Sequence, residues 1–286
     1  MMRRHLNRIA MKPLLLAVSF VAATAHADDG ATPRRPDLPL WELGVGAVGV
    51  SQQAYPGSDQ QARRALVLPY LIYRGKLLRA DGNGAGLRAV RTESFELDVS
   101  FGGSLSSGSE TLRAREGMAR LGTLLEAGPV ARWFPNGRSA RDRITVELPL
   151  RAVFEARNPG RHRGFSFEPE VGIQRRTDSG RWGYGASVGA VLGDRRLGAT
   201  FYEVDAGDVR LDRPAFEARA GLIAWRLGAS LSMNATPDLR LYAFGRLDSV
   251  ADAANRASPL VRQTTGASYG IGLAYTLKRS ATRAND

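Results

Sequence analysis

The sequence contains no cysteine and very little lysine or histidine. None of its 286 residues is cysteine, so the chain can form neither a disulfide nor a thiolate metal site. The only lysines are Lys12, Lys76 and Lys278, so arginine carries nearly all of the positive charge behind the net charge of +12. His162 is the only histidine beyond residue 27. We therefore expect no metal site and no cofactor.

The sequence also lacks an apolar run long enough for a membrane-spanning helix. The run at residues 14–23 falls well short of the roughly 20 residues that such a helix needs. It follows a basic region and precedes Ala25-His26-Ala27, which has small residues at the positions that a signal peptidase reads. We predict a cleaved signal peptide at residues 1–27, with Met11 as an alternative start. Export argues against nucleic acid as a partner.

Amphipathic helical patterns of 10–15 residues are absent, and alternation of apolar and polar residues takes their place. Between residues 143 and 156, one face of a predicted strand carries Ile144, Val146, Leu148, Leu150, Ala152, Phe154 and Ala156. The opposite face carries Arg143, Glu147, Arg151 and Glu155. This stretch is longer than most strands, which have about 5–6 residues, and is long enough to cross a bilayer at a tilt of about 45°.

The same alternation predicts about twelve strands, within a range of 10–14. They are placed at Trp41–Val48, Arg64–Arg74, Lys76–Val90 (one interrupted strand), Phe95–Phe101, Leu125–Trp133, Arg143–Ala156, Phe165–Gln174, Trp182–Leu192, Leu197–Val204, Phe216–Met233, Leu239–Leu247 and Tyr269–Leu277. Turn residues such as Asn136-Gly137 and Asp178-Ser179-Gly180 separate them. The absence of intervening helices excludes a parallel α/β fold.

A soluble β-sandwich is the structural alternative to a transmembrane barrel. The strand length and the polar, glycine-rich second face favour an antiparallel transmembrane β-barrel with a wet or ion-paired lumen. Aromatic residues also stand at the ends of the apolar faces, as at Trp41, Phe101, Trp133, Trp182 and Tyr275. We predict a barrel at residues 40–277, a flexible lead-in at 28–39 and a polar tail at 278–286.

Several short motifs resemble, in their order, those of the MipA/OmpV family, the MltA-interacting proteins of Gram-negative outer membranes. The matching positions are Tyr55, Gly57, Ser58, Asp59, Gly117, Met118, Gly128, Tyr202, Pro214, Ser258 and Pro259. The resemblance implies an outer-membrane location. It also implies a scaffold that joins a lytic transglycosylase to a peptidoglycan synthase, although other members are linked to adhesion or antibiotic response.

Few residues could support catalysis. Ser166 follows His162 on the next predicted strand, but no motif joins the two as a nucleophile and its base. Glu168 and Glu170 share a face and could act as an acid–base pair. We favour cross-strand ion pairs with Arg143 and Arg151. Together with Glu147 and Glu155, these residues predict a lumenal charge network, and we expect no enzyme activity.

The polar segment Ser104–Gly122 is the candidate for protein–protein interaction. If residues 76–90 form one strand, this segment lies on the periplasmic side, where it could bind a murein enzyme or act as a mobile loop or small plug.

The predicted function is a non-catalytic scaffold in envelope maintenance. The alternatives are a narrow diffusion channel, an adhesin or, as a third reading, a lipid-modifying enzyme. The many arginines could bind the phosphate groups of lipopolysaccharide, but we favour a general bias of the amino-acid composition toward arginine as the explanation of the positive charge.

Overall fold

The fold is a closed antiparallel sheet. The computed structural model describes residues 38–75, 78–81, 84–104, 112–156 and 158–284, so the predicted signal peptide and nearly all of the lead-in lie outside the described residues. The strands are β1 (Trp41–Gln53), β2 (Gln61–Arg74), β3 (Leu78–Asp81), β4 (Gly84–Arg91), β5 (Phe95–Ser104), β6 (Leu124–Trp133), β7 (Asp142–Glu155), β8 (Asn158–Phe167), β9 (Glu170–Arg176), β10 (Trp182–Gly193), β11 (Gly221–Asn234), β12 (Leu239–Ser249) and β13 (Thr265–Arg279). Apart from β8 and β9, which do not pair with each other, each strand pairs with its neighbours in sequence; β1 also pairs with β13, so the sheet closes.

The thirteen strand segments occupy twelve positions around the barrel, because β8 and β9 share one. Both lie between β7 and β10: β8 pairs with the second half of β7, and β9 pairs with the first half. The interruption falls at Glu168-Pro169, where proline has no N–H to donate to the ladder. The predicted antiparallel barrel of about twelve strands is confirmed.

Two predicted strands were wrong. Residues 76–90 do not form one strand, because β3 and β4 pair antiparallel as a hairpin around Asp81-Gly82-Asn83-Gly84. Residues Leu197–Val204 also are not a strand but form most of a helix, α1 (Arg195–Tyr202). Asp194 caps this helix by accepting a hydrogen bond of 2.8 Å from the Leu197 N–H.

The outer wall is apolar, as the alternation predicted. On β13, Tyr269, Ile271, Leu273, Tyr275 and Leu277 are all exposed, and Ile271 is 70% exposed. The alternating residues Ser268 and Gly270 are buried in the interior. The other strands show the same alternation, including Leu148 and Leu150 outside and Arg143 and Thr145 inside on β7. An apolar wall of this kind is what lipid contact requires. Among the described residues, no helix is long and apolar enough to cross a membrane.

The two ends of the barrel differ. Both chain ends lie at one end, together with short turns such as 92–94, 177–181 and 235–238; we call it the turn end. The long connections 54–60, 194–220 and 250–264 lie at the other, the loop end, together with the described part (112–123) of the connection between β5 and β6. The β3–β4 hairpin reverses the chain once more than expected, so the segment Ser104–Gly122 lies at the loop end. The expectation that it shares an end with the chain termini was therefore wrong.

Strand β13 continues past the predicted barrel boundary at Leu277 and ends at Arg279. Beyond it, the Leu40 N–H donates to the Thr282 carbonyl at 2.9 Å, and the Ala284 N–H donates to the Leu38 carbonyl at 2.8 Å. The start of the described chain and its end are thus held together.

Candidate functional site

A hydrophobic lid closes the loop end of the barrel. The lid consists of Tyr55, Leu112, Leu197, Tyr202 and Val250, which come from the four long connections and are all buried. It packs on inward-facing strand residues, namely Leu124, Val153, Val191, Ile223 and Ala224. Among the described residues, this apolar core therefore occupies the mouth of the barrel at the loop end.

Hydrogen bonds between connections fix the lid in place. The Tyr55 hydroxyl donates to the Leu260 carbonyl at 2.7 Å, and the Tyr202 hydroxyl donates to the Pro56 carbonyl at 2.9 Å. Ser258 Oγ donates to the Tyr202 carbonyl at 2.7 Å. Burial raises the pKa of Tyr55 to about 12 and also raises the pKa of Tyr202, so both hydroxyls stay protonated as donors at neutral pH.

Several of the family-motif positions meet in or beside this lid. Besides Tyr55, Tyr202 and Ser258, the positive φ of Gly57 (90°) turns the first connection beneath Val250 and Val261. The Ser58 carbonyl accepts from both Gln53 and Gln263, each at 2.8 Å. Pro259 lies between two buried residues, Ser258 and Leu260. Pro214 is exposed and directly follows the buried residue Arg213.

The described part of the segment Ser104–Gly122 is tied to the lid. Arg113 pairs with Asp59 at 3.1 Å, and Arg115 donates to the Phe201 carbonyl at 3.0 Å. Burial lowers the pKa of Arg115. Arg213 Nη1 donates to the carbonyls of Ala114 and Glu116 at 3.2 and 3.0 Å. The chain then turns at Gly117 (φ 79°), beside Met118.

Toward the turn end of the lumen, a buried arginine joins three strands. Arg132 on β6 contacts Asp98 at 2.8 Å and Glu96 at 3.4 Å on β5, and Glu147 at 2.8 Å on β7. Asp98 is 0% exposed, so no water-filled space reaches it. The guanidinium acts as a cross-strand connector in a filled part of the lumen.

A second arginine forms ion pairs with residues of two other strand regions. Arg226 on β11 contacts Glu168 at 2.9 Å and Asp248 at 3.0 Å, and Arg246 contacts Asp248 at 2.9 Å. The intervening residue is Gly189 on β10, which lies opposite both Arg226 and Glu170. Arg226, rather than a residue of β7, therefore supplies the ion pair of Glu168.

The predicted charge network is divided into separate contacts. The register sets Arg151 opposite Ser166 and Arg143 opposite Gln174, and not opposite Glu168 and Glu170 as predicted. Arg151 instead contacts Glu126 at 3.5 Å, and Arg143 donates to the Gln174 side chain. Glu155 contacts Arg163 at 2.5 Å, and Glu147 lies opposite Glu170.

Lumenal glycines are covered by aromatic rings. A Cβ atom added at Gly44 would lie 2.5 Å from Tyr70 Cζ, one at Gly270 would lie 2.6 Å from Phe244 Cζ, and one at Gly272 would lie 2.5 Å from Tyr242 Cζ. Gly128 on β6 likewise admits the Leu150 carbonyl of β7. At these positions glycine makes room for a neighbour and does not leave an opening.

The structure does not bring together a catalytic pair from the candidates that the sequence offered, namely Ser166 with His162 or Glu168 with Glu170. Ser166 faces the lumen and is 2% exposed, whereas His162 packs between Phe154 and Phe165 on the outer wall. The two side chains are thus on opposite faces of the sheet. Glu168 is engaged by Arg226. Within the described residues, no three His, Asp or Glu side chains are grouped to hold a metal ion.

Comparison with known proteins agrees with the motifs. Residues 44–277 match the family described as MltA-interacting protein MipA. A comparison with curated proteins gave no match. Similar solved structures include the NanC porin, at 12% identity over 82% of this chain and 100% of that chain (TM-score 0.42). Another is an outer-membrane channel from Pseudomonas putida F1, at 12% identity over 88% and 98% (TM-score 0.36). With a family match over most of its length, the chain belongs to the MltA-interacting protein (MipA) family of outer-membrane proteins.

Proposed function

We propose that this outer-membrane barrel is a non-conducting, non-catalytic scaffold that binds a murein enzyme at its turn end. The observation that carries the proposal lies in the described interior: a hydrophobic lid covers the loop end, and ion pairs such as Arg132–Asp98 and Arg226–Asp248 cross the lumen. A diffusion channel needs a continuous polar, hydrated path, and Asp98 and Asp248, at 0% and 2% exposure, lack access to one.

The turn end is the surface for a periplasmic partner. In outer-membrane barrels the short turns face the periplasm, and here the chain ends lie with them. Exposed cations outnumber exposed anions at this end: Arg141, Arg175, Arg181, Lys278, Arg279 and Arg283 stand against Glu93, Asp142, Asp178 and the partly exposed Asp238, which pairs with Arg279. An acidic surface on the partner would complement this rim. The family name supplies the class of partner, a murein enzyme of the MltA type.

The first test is single-channel conductance. We expect the refolded mature protein to give no steady current steps in a planar bilayer, because the described residues place an apolar lid and cross-strand ion pairs across the lumen. An open porin in the same bilayer is the control for insertion conditions, and a heat-modifiable band on a gel shows that the barrel is folded. Steady, salt-dependent steps from the folded protein would favour the diffusion-channel alternative and contradict a non-conducting scaffold.

The second test asks which end binds the partner. We expect Arg181→Glu with Lys278→Glu to reduce pull-down of a murein lytic transglycosylase by at least about tenfold, since charge complementarity of about 1.4 kcal/mol corresponds to a tenfold change. Both residues are exposed, so the fold should be unaffected. The matched control at the loop end is Arg120→Glu with Arg262→Glu, which changes the net charge equally and should retain binding.

Shortening the segment 105–111 should also retain pull-down, because the flanking residues lie at the loop end. Loss of binding in the loop-end variants, with retention in the turn-end variant, would mean that the partner does not dock where the turns are.

A further inference from the structure

The ring of strands has a weak junction at the second edge of β2. Strand β2 pairs with β1 along its whole length, from Gln61 to Arg74. On its other side, within the described residues, it pairs with β3 only at Tyr73 and Arg74. The strand order places neither β4 nor β5 next to β2. In the part of the chain that the structure describes, Ala65–Ile72 therefore has a ladder on one side and no neighbouring strand on the other. We call this second side the open edge.

A proline faces the open edge. The Arg74 N–H donates to the Leu40 carbonyl at 2.8 Å, on the β1 side of the strand. Alternate residues of a strand direct their backbone groups to opposite neighbours, so the odd-numbered residues of β2, Pro69 among them, face away from β1. Because proline has no N–H, the open edge leaves no donor unsatisfied at Pro69. This residue therefore lowers the cost of leaving β2 unpaired in the middle of the wall.

Strand β2 is also apolar on both faces. Residues 65–73 include no charged side chain. Val67 belongs to the outer wall and is 71% exposed. Leu66, Leu68 and Ile72 face the lumen and are only half-buried there, and we call these three residues the apolar strip. The interior of an outer-membrane barrel is normally polar, so an accessible apolar strip beside the open edge indicates an apolar occupant.

The open edge connects the apolar strip with the bilayer. Val67 faces lipid and Leu68 faces the lumen, and at this edge no described strand separates the two surfaces. The backbone N–H groups of Ala65 and Val67 also point to the edge, where they need hydrogen-bond acceptors. A membrane lipid supplies both kinds of group. Its acyl chain matches the strip, and the oxygen atoms of its ester or amide bond can accept from the N–H groups.

We propose that the open edge is a lateral portal through which one acyl chain of a bilayer lipid enters the lumen and lies on the apolar strip. The chain enters through the side of the barrel, so the lid at the loop end stays closed. A second copy of this chain would have to add a strand at the edge, and Pro69 interrupts the ladder of such a strand. The occupant is therefore assigned to the lipid.

The test uses the absence of native cysteine, which allows a single bimane fluorophore to be attached at one introduced cysteine. The full mature protein is folded into phosphatidylcholine vesicles with or without bromine on the acyl chains, because bromine quenches a fluorophore that it contacts. We expect the label on Leu68→Cys to be quenched nearly as much as that on Val67→Cys, its neighbour on the outer wall. The label on the lumenal control, Ser187→Cys on β10, should keep its fluorescence. Adding Leu66→Asn to Leu68→Cys places an amide on the strip and should remove most of the quenching.

A heat-modifiable band on a gel shows that each labelled barrel is folded. Fluorescence of folded Leu68→Cys that survives brominated lipid would overturn the proposal. Quenching by brominated fatty acid added to the solution, but not by brominated phosphatidylcholine, would also overturn it, because the occupant would then be a free amphiphile. Disulfide-linked dimers of Val67→Cys, together with an unquenched label at Leu68→Cys, would assign the edge to a second copy of the chain. Murein-enzyme binding is measured at the turn end, so this proposal and the scaffold proposal fail separately.

Discussion

Replacing Arg132 with methionine should destabilise the barrel by about 3–5 kcal/mol, the usual cost of leaving buried carboxylates without their partner. One guanidinium joins Glu96, Asp98 and Glu147 across strands β5, β6 and β7. Methionine fills a similar volume, so the loss comes from charge and hydrogen bonding more than from packing. The free energy of unfolding is measured by urea-induced unfolding of the barrel in lipid vesicles, monitored by tryptophan fluorescence.

Two comparisons make the Arg132 result interpretable. Arg141→Met removes an exposed arginine paired with Asp178, and should cost no more than about 1 kcal/mol. Adding Asp98→Asn to Arg132→Met removes the most deeply buried of the three charges and should restore part of the stability. If Arg132→Met is as mild as Arg141→Met, the buried cluster does not stabilise the barrel.

Leu273→Arg should cost about 2–4 kcal/mol, because it places a charge on the lipid-facing wall near the middle of β13. Leu273 lies between exposed Ile271 and Tyr275 on that wall. Leu273→Ala is the control, since it shortens the side chain without adding charge. The same vesicle-folding titration applies, and the arginine variant should also fold less completely at equal lipid concentration.

Gly272 cannot serve as the lumenal control that sequence alone would choose. Tyr242 covers it, so any larger residue there meets the ring as well as the lumen. If Leu273→Arg proved as stable as Leu273→Ala, the wall around Leu273 would not face lipid in the folded protein.

The outer wall could be predicted from sequence because its physical rule is local. A strand places alternate side chains on opposite faces, so β7 and β13 could be assigned their faces without knowing any partner. The filled lumen could not be predicted in the same way. Its contacts depend on strand register and on side-chain length, as when Arg226 on β11 contacts Glu168 beyond the neighbouring strand β10.

Two short sequence motifs indicated a helix and a chain reversal, but the alternation of apolar and polar residues was given more weight. Asp194 directly before Arg195 is a helix N-cap pattern, and it marks the start of α1. Asp81-Gly82-Asn83-Gly84 is a strong reversal signal, and treating it as an interruption moved the segment Ser104–Gly122 to the wrong end of the barrel. Because each turn reverses the direction of the chain, one misassigned turn places every later connection at the wrong end of the barrel.

The buried charges that sequence reasoning missed were visible by position. Asp98 and Arg132 occupy inward positions of predicted strands, and Asp248 directly follows the predicted strand Leu239–Leu247; an ionised group buried at such a position must find a partner. Reading each strand for charged inward residues would have identified them. Their pairing would still have required the order of strands around the barrel.

Because the two ends of the described chain are adjacent, the protein is suited to circular permutation. Leu38 and Ala284 are joined by a backbone hydrogen bond of 2.8 Å, so a short peptide could link them covalently without moving either strand. The barrel would then be a continuous ring of hairpins with no privileged first strand. New ends could be opened within another turn, giving circular permutants that retain every ladder of the sheet.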